Sequence, residues 1–351
     1  MILDDPREIS RIDVAGMLQH IVQFGPMVRE GWQAASALPP AAAVPSAVVV
    51  CGLGGSAISG DLLAALLAPS SPVPVVCVRD EQLPAFVGPR SLVIACSYSG
   101  HTEETLRAFE TASRAGAEVV AITSGGRLAD LAGDAGHAVV RVRPGLQPRA
   151  SLPLLLLPMV SLAARRGLTP IDADDVRETA AVLDELAARW GPEVPSGDNP
   201  AKRLALALRG VIPAIYAASP SLEPVARRWK TQLNENSKTF AVANTFPELV
   251  HNEVVGWQGL SNGSPAVHVV VLRDRDEDPR AVARVAAARD VAFRGARGVS
   301  EVWSHGTSPL ARLLSLVLFG DLVSGFLAVL AGVDPTPVEV ITRIKDRLRS
   351  G

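Results

Sequence analysis

A carboxylate and an imidazole occur within a short stretch of sequence in the second half of the chain. Glu235 lies in the polar run Asn234-Glu235-Asn236-Ser237-Lys238, at the predicted end of a helix, and His251 follows 16 positions later, after a turn that begins at Pro247. Side chains of these two kinds carry out proton transfer on carbon and oxygen. A polar cluster at a helix end is more often simply solvated. A catalytic role for this pair therefore needs support from other motifs.

A hydroxyl-rich turn follows the apolar run Leu92-Val93-Ile94-Ala95-Cys96. The turn reads Ser97-Tyr98-Ser99-Gly100-His101-Thr102 and leads into a predicted helix that begins at Glu103. Ser and Thr at such a position can simply cap the helix. Three hydroxyls within six positions exceed what one cap requires, so we interpret them as donors that converge on phosphate oxygens.

A glycine-rich turn follows an earlier strand-like run, Val48-Val49-Val50-Cys51. It reads Gly52-Leu53-Gly54-Gly55-Ser56, and apolar residues then recur at helical spacing, which predicts a helix from Ser59. Glycines between a strand and a helix allow close approach of an anion to the helix N-terminus. The alternatives are a plain structural turn and a dinucleotide site. The next strand disfavours a dinucleotide, because Asp80 lies too far along to be a confident ribose ligand.

Two further cations are candidate site residues. Arg149 lies in an irregular, proline-rich segment, where a stiff chain suits a guanidinium that binds an oxyanion or a phosphate, although a surface arginine is the simpler interpretation. Lys345 lies on a short amphipathic helix near the C-terminus and could fold back toward a site. Taken alone, Lys345 would be a surface lysine.

Apolar strand-like runs and helical patterns alternate along the whole chain. This alternation predicts an α/β protein in which mostly parallel sheets are flanked by helices on both faces, with ligands at the carboxyl ends of strands. We predict a first domain at residues 1–165 that includes a helical arm up to about residue 45, a helix and linker at 166–200, and a second domain with a C-terminal helix at 201–351. The two halves resemble each other in layout, so an internal duplication is plausible.

Composition narrows the compartment and the partners. The net charge of −2 over 351 residues and the lack of long basic runs argue against nucleic acid as a partner. The three cysteines are not spaced for a metal and predict buried thiols in a reducing cytoplasm, and the acidic N-terminus does not resemble a signal peptide. The run from Leu313 to Val333 is nearly long enough to span a membrane, but Asp321 at its middle favours a helix buried between domains or subunits.

Five motifs occur in the order of a known family. They are Gly-Leu-Gly-Gly-Ser-Ala-Ile-Ser-Gly (52–60), Ser-Tyr-Ser-Gly-His-Thr-Glu-Glu-Thr (97–105), Pro-Arg-Ala (148–150), Asn-Glu-Asn-Ser-Lys (234–238) and Phe-Pro-Glu-Leu-Val-His-Asn-Glu (246–253). Together they resemble the bifunctional phosphoglucose/phosphomannose isomerases, which are built from two sugar-isomerase (SIS) domains. The resemblance covers nearly the whole chain.

The resemblance implies a role for each candidate residue. Glu235 would move the proton between C1 and C2, His251 and Lys345 would open the sugar ring, and Arg149 would stabilise the enediolate. His251 would come from the other subunit of a homodimer. The residues implied to hold the sugar phosphate are Gly55, Ser56, Ser97, Ser99 and Thr102. The resemblance implies no metal and no cofactor.

The expected function is therefore the interconversion of glucose 6-phosphate and mannose 6-phosphate with fructose 6-phosphate. Because the intermediate is planar at C2, one base would serve both epimers. The alternative is a non-catalytic sugar-phosphate sensor with the same fold, which would bind a phosphorylated hexose without turnover. The isomerase half of a glutamine amidotransferase is a third possibility, but the chain lacks an N-terminal cysteine nucleophile.

Overall fold

The computed structural model describes residues 2–36, 38, 43–260 and 266–349. The first part of the chain contains α1 (Pro6–Ile12), α2 (Met17–Ile21), α3 (Phe24–Ala34), β1 (Ala47–Cys51), α4 (Gly55–Leu67), β2 (Val75–Val78), β3 (Ser91–Cys96), α5 (Glu103–Arg114), β4 (Glu118–Thr123), α6 (Gly126–Asp134), β5 (Ala138–Arg141), α7 (Leu152–Arg165) and α8 (Ala173–Trp190). The rest contains α9 (Pro200–Ala207), β6 (Ile212–Ala217), α10 (Glu223–Asn236), β7 (Val242–Thr245), α11 (Glu253–Gly256), β8 (Val267–Arg273), α12 (Pro279–Val291), β9 (Gly298–Trp303), α13 (Pro309–Ala331) and α14 (Glu339–Arg349).

Two parallel sheets with the same strand order organise these elements. The first sheet has the order β2-β1-β3-β4-β5, and the second, β7-β6-β8-β9, repeats the order of the first four strands. Their central strands are buried on both faces, which requires the continuous apolar runs seen in the sequence. The expected α/β fold with helix-flanked parallel sheets is confirmed.

The chain forms two compact units, each built from separate segments. One unit contains the first sheet and comprises residues 23–185 and 305–315, and the other contains the second sheet and comprises 1–22, 186–304 and 316–351. The helical arm is therefore divided: α3 packs on α7, whereas Lys202 on α9 donates a hydrogen bond to the Leu3 carbonyl oxygen. The domain limits at residues 165 and 200 stay a prediction, and residues 37 and 39–42, where the arm is predicted to end, lie outside the described residues.

Two helix starts differ from the sequence predictions. Helix α4 begins at Gly55 rather than Ser59, because Gly54 adopts a positive φ of 55° and turns the chain directly into the helix. Helix α9 was not predicted at all. Its N-cap is Asn199, whose Oδ1 accepts hydrogen bonds from the backbone N–H groups of Ala201 (3.0 Å) and Lys202 (3.1 Å), with proline at the first helical position.

Helix α13 is the one described helix long and apolar enough to cross a membrane, but its apolar stretch is wholly buried inside the chain. Asp321, at its middle, is fully buried and forms an ion pair with Arg228 of α10. The Arg228 Nε lies 3.1 Å from Oδ1 and its Nη2 lies 2.5 Å from Oδ2, so the pair is bidentate. The carboxylate that argues against a membrane span thus holds two core helices together.

Candidate functional site

The turn between β1 and α4 is closely packed. A Cβ atom on Gly52 would lie 2.9 Å from the Cys96 carbonyl oxygen, so the turn contacts the end of β3. Gly55 and Ser56 occupy the first turn of α4, where backbone N–H groups and the helix dipole favour an anion. Ser56 is almost fully buried.

The turn after β3 brings its hydroxyls together. Ser97 Oγ lies 2.9 Å from Thr102 Oγ1 and also accepts a hydrogen bond from the Gly100 N–H (3.2 Å). Thr102 is the N-cap residue of α5, yet among the described residues its hydroxyl caps no N–H group of that helix. The capping interpretation is therefore wrong for Thr102. Ser99 is exposed, and its Oγ accepts a bond from the His101 N–H (3.3 Å).

Arg149 lies beside this turn system in a short 3-10 helix, Pro148–Ala150. Only 5% of Arg149 is exposed, so it is not the surface arginine of the simpler interpretation. A Cβ on Gly55 would lie 2.8 Å from the Pro148 carbonyl oxygen and 3.5 Å from the Arg149 Cα. The segment that carries the guanidinium therefore packs on the first residue of α4, where only a residue without a side chain fits. A cation in such a position suits a bound oxyanion.

Hydrogen bonds join the neighbouring turns into one rim. The Tyr98 hydroxyl donates to the Arg143 carbonyl oxygen (2.8 Å) and accepts from the Leu146 N–H (2.9 Å). Ser124 Oγ, after β4, donates to the Tyr98 carbonyl oxygen (2.7 Å). The turn after β4 therefore forms part of the rim. The structure brings together, at one edge of the first sheet, the candidates Gly55, Ser56, Ser97, Ser99, Thr102 and Arg149.

Glu235 lies in the last turn of α10 and is half-buried. Its neighbours fix the helix end: Asn236 Nδ2 donates to Ser324 Oγ on α13 (2.9 Å), and Asn234 Oδ1 accepts from the Ala241 N–H (3.2 Å). Lys238 has a positive φ of 55°, and its Nζ donates to the backbone oxygen of Glu235 (2.6 Å). The polar run is therefore a built structure rather than a solvated helix end.

His251 is exposed at the end of a 3-10 turn, Glu248–His251, that follows β7. Helix α10 connects the parallel neighbours β6 and β7, so its end lies at the start of β7. Glu235 and His251 are thus at opposite ends of β7, and the structure does not bring them together within the unit. The four residues of that strand span about 13 Å. Lys345 is exposed, as are the other described side chains of α14 up to Leu348.

Three residues outside the predicted site, Tyr216, Asn244 and Glu253, connect the His251 segment to the second sheet. Glu253 accepts hydrogen bonds from the Tyr216 hydroxyl and from Asn244 Nδ2 (2.5 Å). Tyr216 and Asn244 are directly paired positions on β6 and β7. The sequence signal for these residues is a polar side chain near the carboxyl end of each of two neighbouring strands. That Tyr216 and Asn244 lie side by side depends on the strand register, which the sequence does not show.

The cysteines are structural thiols. Burial raises the pKa of Cys51 to about 12 and that of Cys96 to about 12, while Cys77 is half-buried and its pKa is also raised by burial. All three are free, and no group of three or more metal-ligating side chains occurs within the described part of the chain.

Comparison with known proteins identifies both halves. Residues 44–143 match the SIS domain model, and residues 197–348 match the model of the bacterial phospho-glucose isomerase C-terminal SIS domain. A hypothetical protein from Thermus thermophilus shares the fold, with a TM-score of 0.72 at 18% identity over 98% of this chain and 93% of that chain. The protein is thus a two-SIS-domain α/β protein.

Full-length relatives define the family more closely. The chain is 44% identical to the bifunctional phosphoglucose/phosphomannose isomerase of Caldicellulosiruptor bescii, over 86% of this chain and 89% of the relative. It is 36% identical to the protein of that name from Aquifex aeolicus, over 86% and 90%. The chain belongs to the bifunctional phosphoglucose/phosphomannose isomerase family.

Proposed function

We propose that the protein is an aldose–ketose isomerase that interconverts glucose 6-phosphate and mannose 6-phosphate with fructose 6-phosphate. The observation that carries the proposal is the cluster of hydroxyls, helix N–H groups and a buried arginine at one edge of the first sheet, in a chain of this family. An anion site of this kind suits the phosphate of a phosphorylated hexose.

Each site residue is proposed to have the role that membership of this family implies. The turns that carry Gly55, Ser56, Ser97, Ser99 and Thr102 hold the phosphate. Arg149 stabilises the enediolate, because a fixed cation favours a developing oxyanion. Glu235 removes the proton from the carbon next to the carbonyl and returns it to the other carbon. His251 and Lys345 open the ring. Neither a cofactor nor a metal is part of this scheme.

We propose further that the protein is a homodimer in which His251 completes the partner's site. The separation of Glu235 and His251 along β7 supports this, because a single unit does not unite them. Helix α14 also presents exposed apolar side chains on one stripe, with Val340 68%, Ile344 56% and Leu348 77% exposed. An isolated helix of this length is only marginally stable in water, so we propose that a second copy of the chain packs against this stripe. Successive residues of a helix are rotated by about 100°, so Lys345 lies beside the stripe formed by Val340, Ile344 and Leu348.

A cytoplasmic location fits the buried, unpaired thiols and stays part of the proposal. A non-catalytic sugar-phosphate sensor is not favoured, because the full-length relatives are named as isomerases. A sensor would keep its biological activity after Glu235→Gln.

The direct test is turnover of both aldose phosphates in an assay coupled to fructose 6-phosphate. Glu235→Gln is expected to lower kcat by at least about 100-fold, since general base catalysis contributes about 10²–10⁴-fold, with KM changed by less than about threefold. Ser97→Ala is the matched contrast and is expected mainly to raise KM. Near-normal turnover by Glu235→Gln would show that the assigned base is wrong.

The shared-site proposal has its own test. Glu235→Gln and His251→Ala are each expected to be inactive or nearly so, and the two variants are mixed so that their subunits exchange. If His251 acts in the partner's site, a mixed dimer has one site with both changes and one intact site, so activity returns. If His251 acts within its own chain, the mixture stays as inactive as its components.

A further inference from the structure

The segment that carries His251 is anchored on both sides of the imidazole. Two residues before it, Leu249 is fully buried in the core of the second sheet, together with Phe246. Two residues after it, Glu253 contacts the ends of two strands through both carboxylate oxygens. An exposed surface histidine does not require its backbone to be fixed on both sides. The two anchors therefore suggest that the position of the His251 side chain matters.

The Glu253 anchor is well defined. The Tyr216 hydroxyl donates to Oε1, and Asn244 Nδ2 donates to Oε2 at 2.5 Å. Tyr216 is 1% exposed, and its ring lies 5.5 Å from that of Phe293, so the hydroxyl is held by a packed aromatic cluster. Because Tyr216 and Asn244 are paired across β6 and β7, the sheet itself sets the distance between the two donors.

The environment also keeps the tyrosine protonated. Burial raises the pKa of Tyr216, and the neighbouring Glu253 raises it further. Tyr216 therefore stays a hydrogen-bond donor throughout the physiological range, and the Glu253 carboxylate receives two fixed donors. Hydrogen bonds to a charged acceptor are stronger than neutral ones, by roughly a factor of two.

We propose that Glu253, held by Tyr216 and Asn244, is a positioning residue that fixes the His251 imidazole for ring opening. The proposal rests on the role of His251 under the proposed function. Ring opening breaks the C1–O5 bond, takes a proton from the C1 hydroxyl and gives a proton to the ring oxygen. This step depends on placement, since a shift of about 1 Å in a catalytic group can cost about 100-fold in rate.

The test measures ring opening separately from isomerisation. A Glu235→Gln background lacks the proposed base for isomerisation. The protein is expected still to open and close the ring there, and so to interconvert the α and β anomers of glucose 6-phosphate. Exchange NMR with substrate labelled with ¹³C at C1 gives this rate, expressed per site titrated with fructose 6-phosphate. The normalisation removes any change in the folded fraction.

Adding Tyr216→Phe or Glu253→Gln to this background is expected to lower the anomer exchange rate at least tenfold, with sugar-phosphate affinity changed less than about threefold. The matched control is Glu248→Gln, an exposed carboxylate on the same turn that accepts from Asn252 Nδ2 (2.6 Å), and it is expected to stay within twofold. Glu253→Asp, which keeps the charge, should recover part of the rate.

Unchanged exchange per site in both Tyr216→Phe and Glu253→Gln would overturn the proposal. So would an equal loss in the Glu248→Gln control, because that would indicate general loosening of the turn. Failure of the proposed function looks different: the protein without substitutions would isomerise neither aldose phosphate, and the Glu235→Gln protein would not accelerate anomer exchange.

Discussion

The buried ion pair between Arg228 and Asp321 predicts a large effect of one small substitution. Both side chains are at most 1% exposed, and two hydrogen bonds join them. Asp321→Asn keeps the shape of the side chain but removes the negative charge that pairs with the guanidinium. Removal of one partner from a buried pair costs about 3–5 kcal/mol, which is a large share of the roughly 5–15 kcal/mol that stabilises a typical protein.

Urea unfolding followed by tryptophan fluorescence measures this cost. Four of the five tryptophans lie in the unit that contains the pair, and Trp229 is next to Arg228, with its Nε1 donating to the Leu316 carbonyl oxygen at 2.9 Å. The matched control is Glu223→Gln, which removes one ion-pair partner of Arg227 on the same helix. Because that pair is partly exposed, the change is expected to cost less than about 1 kcal/mol.

A double replacement separates two physical causes. If the cost of Asp321→Asn comes from an uncompensated charge, Arg228→Met with Asp321→Leu should recover most of the free energy of unfolding, because apolar packing often replaces a buried pair without loss. A loss below about 1 kcal/mol for Asp321→Asn would refute the reasoning. It would mean that the guanidinium finds other compensation in the core.

Two further predictions concern stability. Gly320→Ala should destabilise by about 1–3 kcal/mol, because its Cβ would lie 2.2 Å from Trp229 Nε1, whereas Gly133→Ala, with no described atom within 4 Å of the new Cβ, should stabilise by about 0.5–1 kcal/mol in the same unfolding assay. Hydrogen bonds from Ser196 lower the pKa of Asp4, so the stability that they contribute is present above about pH 4 and is lost as the pH falls through the lowered pKa. The free energy of unfolding of Ser196→Ala should therefore be lower than that of the unsubstituted protein at pH 7, and the difference should shrink near pH 3. A difference that does not change with pH would contradict this assignment.

The central strands were predictable because burial on both faces demands uninterrupted apolar runs such as Val48–Val50. The positions of the hydroxyl turns follow from the strands, because a parallel sheet sends all its carboxyl ends to one edge. The start of α4 was missed because it depends on the backbone angle of Gly54, which glycine permits but does not dictate. The burial of Arg149 and the Glu253 anchor depend on contacts between distant segments, and no local pattern specifies those.

The two sheets share a strand order, but the residues at their carboxyl ends differ in charge. After β3 the chain places neutral hydroxyls, whereas after β8, the equivalent strand, it places the acidic run Asp274-Arg275-Asp276-Glu277-Asp278. Arg273, at the end of β8, is already engaged: its Nη2 lies 2.6 Å from Glu277 and its Nη1 lies 2.7 Å from Glu301. The carboxylates there would repel a phosphate dianion, because like charges repel strongly at short range. The neighbouring Arg273 already forms ion pairs with Glu277 and Glu301. Under the proposed function the phosphate is held at the first sheet, and the described residues that follow β8 do not offer a second site of that kind. The second sheet carries Glu235 near one end of β7 and His251 near the other.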